Sequence, residues 1–186
     1  MSPFEVLTLT VAVLSFIAAA GAAIYAGKAI ERATAANKIS EASLRFQVLV
    51  PALTEYMSAD MYIAISQLWS FYKVDPTTLK GRYKVQRDID NQNGAGMSGA
   101  DYVEFTKGTI DYSRRKVGQF YGMLTSIYDE GGSQRKWIYT YWRKRELQIL
   151  PNIIIPLEEA LSESISTPAS KISNDRLLKL FNDCPS

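Results

Sequence analysis

The sequence contains no histidine among its 186 residues. Histidine is the commonest general base and metal ligand, so its absence excludes the catalytic triads and metal sites that depend on an imidazole. The carboxylates offer no substitute, because neither Asp60 nor the adjacent Glu158 and Glu159 has a partner spacing typical of acid–base catalysis. We therefore predict that the protein is not an enzyme and that it holds no metal and no cofactor.

Cysteine is almost absent as well. Cys184, third from the C-terminus, is the only one, so no disulfide can form within the chain and nothing indicates an oxidising compartment. From Lys28 onward the chain has 21 basic and 18 acidic residues. This excess is too small to predict a nucleic-acid partner from charge.

Charged side chains are nearly absent from the N-terminal part of the chain, where Glu5 is the only one before Lys28. Residues 6–27 form a stretch of 22 residues without a charged side chain, and about 20 apolar residues suffice to cross a bilayer as a helix. A cleaved signal peptide has a basic N-terminal region and a shorter apolar core, whereas this segment follows Glu5 and no basic residue. We predict a retained transmembrane anchor over residues 1–27.

The basic residues that flank the anchor predict its orientation. Lys28, Arg32, Lys38 and Arg45 follow the apolar stretch, and no lysine or arginine precedes it. The positive-inside rule places such a flank in the cytoplasm. We therefore expect a single-pass protein of the inner (cytoplasmic) membrane, with its N-terminus outside and its C-terminal domain in the cytoplasm.

Small residues recur every four positions within the anchor and share one helix face. They are Ser15, Ala19, Ala23 and Gly27. Such spacing lets two membrane helices approach closely, which predicts self-association through this face. An alanine-rich helix also contains such spacings by chance, and both interpretations stay open.

Residues 28–50 contain neither glycine nor proline and are rich in good helix formers, and the first proline after them is Pro51. This composition predicts a juxtamembrane stalk helix. A 4-3-4-3 seam runs along it, but its residues are too small and polar for a stable coiled coil alone. A second face, with Ile39 and Phe46, indicates docking onto a core.

Residues 51–186 are predicted to form a compact cytoplasmic bundle of about five helices, so the fold class is all-α. Pro51 is expected to start or kink a helix. Apolar spacing then predicts helices over residues 53–72, 79–89, 100–128 and 133–150, and a short last helix capped by Ser173. Composition indicates loops at residues 91–99 and 162–170.

The helix after residue 100 carries a pattern of arginines beside apolar and aromatic residues, followed by a tryptophan and a proline. The residues concerned are Arg114, Arg115, Val117, Phe120, Tyr121, Leu124, Tyr128, Gly131, Trp142, Pro156 and Leu157. In this pattern, and in its order of anchor, basic stalk and helical domain, the chain resembles uncharacterised bacterial single-pass membrane proteins with a helical domain. The resemblance implies a fold and a topology, and no activity.

Residues 94–99 match the glycine pattern G-x-G-x-x-G of dinucleotide-binding and kinase loops. That chemistry requires a buried strand before the loop, and the preceding residues are too charged for one. Gln119 stands about where the acidic partner is expected. The glycines are better interpreted as a mobile connection between helices, and a nucleotide-responsive domain stays a third hypothesis for function.

Residues 134–145 contain five basic and four aromatic residues. The main interpretation is an aromatic core helix whose basic residues are solvated. Contact with anionic lipid headgroups is the alternative, and binding of nucleic acid is the least favoured of the three. The residues predicted to contact anionic lipid or a partner are Lys28, Arg32, Arg114, Arg115, Arg135, Lys136, Arg143 and Lys144.

These features predict a membrane-tethered helical interaction or scaffold module at the cytoplasmic face, without catalytic activity. Its partners would be membrane lipid and either another protein or further copies of itself. The alternative is a membrane-acting effector of a stress or defence response that oligomerises through its anchor helix.

Overall fold

The computed structural model describes the backbone of residues 3–131, 133–165 and 169–185, and the side chains of residues 4, 15–16, 19–131, 134–163 and 174–185. Within these ranges every regular element is a helix, which confirms the predicted all-α fold. The elements are α1 (Pro3–Tyr56), α2 (Ala59–Val74), α3 (Leu79–Gly94), α4 (Gly99–Lys107), α5 (Ile110–Asp129), α6 (Ser133–Tyr141), α7 (Lys144–Leu147), a π-helical segment (Leu150–Ile154), α8 (Ile155–Ile165) and α9 (Ala169–Asn182).

The chain divides into an N-terminal unit, Met1–Gln47, and a C-terminal unit, Val48–Ser186. The backbone of α1 is one continuous helix, so the boundaries predicted at residues 27 and 50 interrupt no helix. All described side chains between residues 19 and 44 are exposed. Ile39 is 71% exposed and Phe46 is 70% exposed, so the prediction that their face docks onto a core is wrong.

Pro51 lies inside α1, so the prediction that it starts a new helix is wrong, and the alternative that it kinks the helix stays a prediction. A proline in a helix interior removes one backbone hydrogen bond and crowds the preceding turn. Burial of the neighbouring Leu49 and Ala52 offsets this cost. The chain turns only after Tyr56, where the hydroxyl of Ser58 accepts a hydrogen bond from the backbone N–H of Met61 at 3.2 Å and caps α2.

The single helix predicted over residues 100–128 is in fact two helices, α4 and α5, with Gly108 between them. The hydroxyl of Thr109 accepts a hydrogen bond from the backbone N–H of Tyr112 at 3.2 Å, which starts α5. No residue of α4 is buried, and even the apolar Val103 is 52% exposed. Apolar spacing continues across Gly108, so the periodicity did not indicate the break.

The helix predicted over residues 133–150 is also divided, into α6, α7 and the start of the π-helical segment. Pro151 lies in the first turn of the π-helical segment, where a missing N–H costs no helical hydrogen bond. Pro156 is the second residue of α8, which follows the π-helical segment directly. Both predicted loops are shorter than expected, because α3 extends to Gly94 and α8 to Ile165. The side chain of Ser173 lies outside the described residues. These divisions give the C-terminal unit more helices than the five predicted.

Helix α5 supplies much of the hydrophobic core of the C-terminal unit and contacts α2, α6 and α9. Its buried apolar side chains are those that the sequence pattern predicts, Val117, Phe120, Tyr121, Leu124 and Tyr128. Full burial of a large apolar side chain stabilises a fold by about 1.5 to 3 kcal/mol, so this face contributes heavily to the core.

The described part of the chain contains no helix whose length and apolarity would suffice for a membrane crossing. Half of the side chains of the predicted span, residues 6–27, lie outside that part, which there includes residues 15–16 and 19–27.

Candidate interaction surfaces

Three basic side chains lie at the C-terminal ends of helices in one repeated arrangement. Each donates a hydrogen bond to the backbone carbonyl of an aromatic residue and lies over the ring of that same residue. The pairs are Arg82 with Phe71, Arg135 with Tyr128, and Lys144 with Phe181. A cation at a helix C-terminus satisfies carbonyls that lack a partner and interacts favourably with the helix dipole.

Two of these cations belong to the basic and aromatic segment singled out in the sequence. Nε of Arg135 lies 3.3 Å from the Tyr128 carbonyl oxygen at the end of α5, and its guanidinium is 4.5 Å from the centre of the Tyr128 ring. Nζ of Lys144 lies 2.6 Å from the Phe181 carbonyl oxygen at the end of α9 and 3.9 Å from the centre of that ring. Both residues therefore stabilise contacts between helices.

The aromatic residues of the same segment mostly face the core, as expected. Trp137, Ile138 and Trp142 are buried, and Tyr139 donates a hydrogen bond to the Leu180 carbonyl oxygen at 2.9 Å. Tyr141 is 43% exposed, which differs from the core position predicted for the aromatic residues of this segment as a group. The burial of the tryptophans favours the interpretation of the segment as a core element.

Arg114 is buried rather than on the surface, with only 6% of its side chain exposed. Its guanidinium donates to Asp111 Oδ1 from Nη2 at 3.1 Å and from Nε at 3.2 Å, and it forms an ion pair with Glu158 of α8. The Tyr83 hydroxyl of α3 donates to the same Asp111 oxygen at 2.5 Å. Arg114 thus connects three helices and is not available to a lipid headgroup.

The electrostatics of this cluster follow from burial and from the paired charges. Burial alone would raise the pKa of Asp111, but the hydrogen bond from Tyr83 and the charge of Arg114 hold that pKa below its ordinary value. Burial, together with the hydrogen bond to Asp111, raises the pKa of Tyr83. The cluster therefore holds Asp111 as a carboxylate and Tyr83 as a neutral donor at neutral pH.

The remaining predicted basic contacts are accessible. Lys136 and Arg143 are exposed in the C-terminal unit, and more than half of the Arg115 side chain is exposed although its Nε lies 3.2 Å from Asp111. In the N-terminal unit, Lys28 and Arg32 are exposed. None of these five side chains belongs to the three cation–carbonyl pairs at helix C-termini, so each can contact an anionic surface without breaking one of them.

No protein family, no curated protein and no solved structure matches this chain. The resemblance to bacterial single-pass proteins with a helical domain stays a prediction.

The four small residues predicted to mediate self-association are exposed on α1. They are Ser15, Ala19, Ala23 and Gly27. A Cβ atom added at Gly27 would meet no neighbouring atom within 4 Å. The face is therefore open along its described length and can be approached by a second helix.

The glycine pattern lies between two helices. Gly94 ends α3, and α4 begins at Gly99, so the residues before the loop are helical where a nucleotide-binding glycine loop follows a strand. Gly96 and Gly99 have φ angles of 91° and 60°, which glycine adopts at little cost. The glycines form the turn that allows α4 to follow α3.

Sequence reasoning missed two features that only three-dimensional packing creates. It assigned no function to Arg82. This arginine contacts both the ring and the carbonyl oxygen of Phe71, eleven residues earlier in the chain. It also gave no indication that Cys184 is buried, whereas this residue is 5% exposed and its Sγ lies 4.0 Å from the carbonyl oxygen of Trp142. Burial raises the pKa of Cys184, which disfavours the reactive thiolate.

Proposed function

We propose that the protein is a membrane-tethered helical interaction module without catalytic activity. In this proposal residues 6–27 cross the inner membrane, and the C-terminal unit lies at its cytoplasmic face. The observation that carries the proposal is that α1 exposes large apolar side chains beyond that uncharged stretch. Ile30 is 67% exposed and Ile39 is 71% exposed, although a helix in water usually buries its apolar face.

Propensity alone gives a long exposed helix little stability, because most helical stability in proteins comes from the packing of an apolar face. Lipid around residues 6–27 and another helix against the stalk would supply the missing contacts. The open small-residue face with Ala19 and Ala23 supports a second copy of the chain as the partner within the bilayer. Lys28 and Arg32 support contact with anionic headgroups on the cytoplasmic side, each contributing about 1 kcal/mol.

The experiment compares one substitution at two exposed phenylalanines of α1. Phe16 is 76% exposed and lies at the middle of the proposed span, whereas Phe46 is 70% exposed and lies beyond it. Arginine at the centre of a span costs about 2.5 to 3.5 kcal/mol on insertion, so Phe16→Arg should move much of the protein out of carbonate-washed membranes. Phe46→Arg should stay with the membrane as the wild type does.

Cross-linking of the wild-type protein in intact cells tests the interaction part of the proposal. We expect cross-linked species above the monomer mass in the membrane fraction. Recovery of the wild-type chain in the soluble fraction would contradict the tether. A tethered chain that stays strictly monomeric and captures no partner would contradict the interaction module.

A further inference from the structure

A cavity of about 620 Å³ opens within the C-terminal unit, between the end of α1, helix α4 and one face of α5. Cavities of about 300 to 1,000 Å³ are typical of small-molecule sites. Residues spaced three or four apart on α5 line one side of it, and α4 lines the other. The lining includes Tyr102, Tyr112, Arg115, Lys116, Gln119 and Phe120.

Two cations from adjacent residues of α5 line this cavity. Arg115 contacts Asp111 through Nε at 3.2 Å, and 55% of its side chain is exposed. Lys116 is 19% exposed, and its Nζ lies 2.9 Å from Glu55. A guanidinium and an ammonium on adjacent residues are the groups that proteins use to bind phosphate, the first through its planar fork and the second as a point charge.

Aromatic rings from two helices line the same cavity. Tyr102 of α4 is 47% exposed, so its ring is accessible to a ligand in the cavity. Tyr112 and Phe120 lie on α5. Aromatic side chains bind the flat faces of nucleobases by stacking, and each stacked base contributes substantially to affinity. The cavity thus combines phosphate-binding cations with surfaces suited to a planar ring.

Glu55 adds an acceptor to a lining rich in donors. Its side chain is 48% exposed although it pairs with Lys116, so it stays accessible to a ligand. An acidic side chain near a phosphate site commonly accepts hydrogen bonds from ribose hydroxyls, as in dinucleotide-binding folds. The hydrogen bond from Lys116 to Glu55 raises the pKa of the lysine, so the ammonium charge persists at neutral pH.

Helix α4 is suited to move over the cavity. None of its nine residues is buried, and a second cavity of about 340 Å³ lies along Glu104 and Lys107 on its other flank. Gly99 at its start has a φ of 60°, and Gly108 follows its end. A helix with few buried contacts and a glycine at each end can shift at low cost.

We propose that this cavity binds a nucleoside phosphate and that α4 closes over it. Arg115 and Lys116 hold the phosphate, Tyr102 and Tyr112 contact the base, and Glu55 accepts hydrogen bonds from the ribose. The glycine-rich turn acts as the hinge of α4 rather than as a phosphate cradle. This site is independent of the membrane tether and of the proposed interaction function.

The test is calorimetric titration of the full-length chain in detergent with three probes: adenosine 5′-monophosphate, adenosine and inorganic phosphate. Because the site combines cations and rings, the nucleotide should bind at least about tenfold more tightly than adenosine or phosphate alone. Equal binding of the nucleotide and of phosphate would reduce the site to a generic anion contact and would overturn the proposal, as would the absence of binding by the nucleotide.

Two exposed arginines, each paired with an aspartate, provide matched variants. Arg115→Gln should weaken nucleotide binding by about 10- to 100-fold, because a charge-assisted hydrogen bond to the phosphate is lost. Arg176, 43% exposed and paired with Asp129 on another side of α5, is the control, and Arg176→Gln should leave the affinity unchanged. Equal weakening by both variants, or by neither, would contradict the assignment of Arg115.

Tyr112→Leu tests the ring contact separately. It should weaken binding of the nucleotide and leave the weak binding of inorganic phosphate unchanged, because only the nucleotide has a base to stack. Tryptophan fluorescence checks that each variant is folded, since Trp69, Trp137 and Trp142 all lie in the C-terminal unit. A folded Tyr112→Leu variant with wild-type affinity would remove the base contact from the proposal.

Discussion

Helix α5 and residues 19–44 of α1 are both helical, but different interactions hold them in that conformation. Eight side chains of α5 are buried, including Arg114 and Tyr121, whereas every described side chain of residues 19–44 is exposed. The conformation of α5 therefore depends on the packing of the C-terminal unit. The conformation of residues 19–44 depends on helix propensity and, in our proposal, on lipid and a partner helix.

The difference shows that apolar content alone does not identify a core. Ile24 and Ile39 are as apolar as the buried residues of α5, yet both are exposed on α1. An exposed apolar side chain adds no stability to its own chain until something outside covers it. Substitutions on the buried face of α5 should therefore destabilise the C-terminal unit, whereas substitutions among residues 19–44 should leave its stability nearly unchanged.

The largest effect on folding is expected at Arg114. Arg114→Ala would leave the carboxylates of Asp111 and Glu158 without their buried cation and would lower the free energy of unfolding by about 3 to 5 kcal/mol. Urea titration followed by tryptophan fluorescence measures this change in the C-terminal unit alone.

The adjacent arginine is the control. Arg115 also pairs with Asp111, but more than half of its side chain is exposed, so Arg115→Ala should lower the free energy of unfolding by at most about 1 kcal/mol. Equal losses for the two variants would show that burial does not distinguish the two arginines.

A second effect, of about 2 to 5 kcal/mol, is expected at a core leucine of α5. Leu124 is fully buried, and Leu124→Ala removes its contacts and leaves a cavity. Leu44 of α1 is 45% exposed, so Leu44→Ala should change the free energy of unfolding of the C-terminal unit by no more than about 0.5 kcal/mol. A loss at Leu44 comparable to that at Leu124 would mean that the two regions share one core.

Local patterns predicted the all-α fold and most of the core face of α5, because apolar residues three and four apart define a buried stripe whatever the tertiary arrangement. Helix ends were predicted less well. Helix α5 begins after Gly108 because Thr109 caps its first turn. Helix α1 continues through Pro51 because burial of Leu49 offsets the lost hydrogen bond. Both effects depend on contacts that periodicity does not contain.

The candidate sites show the same limit. Arg114 and Arg115 are adjacent and chemically identical in the sequence, and only the packing of α3 and α8 against α5 makes one a buried ion-pair centre and the other a surface cation. The cavity beside α4 joins Glu55 to residues more than forty positions away. No local motif signals that proximity, and the regular spacing of Tyr112, Arg115 and Gln119 on α5 is the only trace of it in the sequence.

The smallest predicted effect is the acid sensitivity of the C-terminal unit. The pKa of Asp111 is lower in the folded state than its unfolded value of about 3.9, so its carboxylate contributes stability that is fully present above that value. This stability is lost as the pH falls below about 4 and through the folded pKa. Tryptophan fluorescence should therefore show that the urea midpoint of unfolding declines as the pH falls through this range. The Asp111→Asn variant should have a lower midpoint than the wild type at neutral pH, and its midpoint should decline less steeply with falling pH. Asp101, exposed on α4, is the control, and Asp101→Asn should keep the wild-type slope. An unchanged slope in Asp111→Asn would mean that carboxylates outside the Arg114 cluster determine the acid sensitivity of this unit.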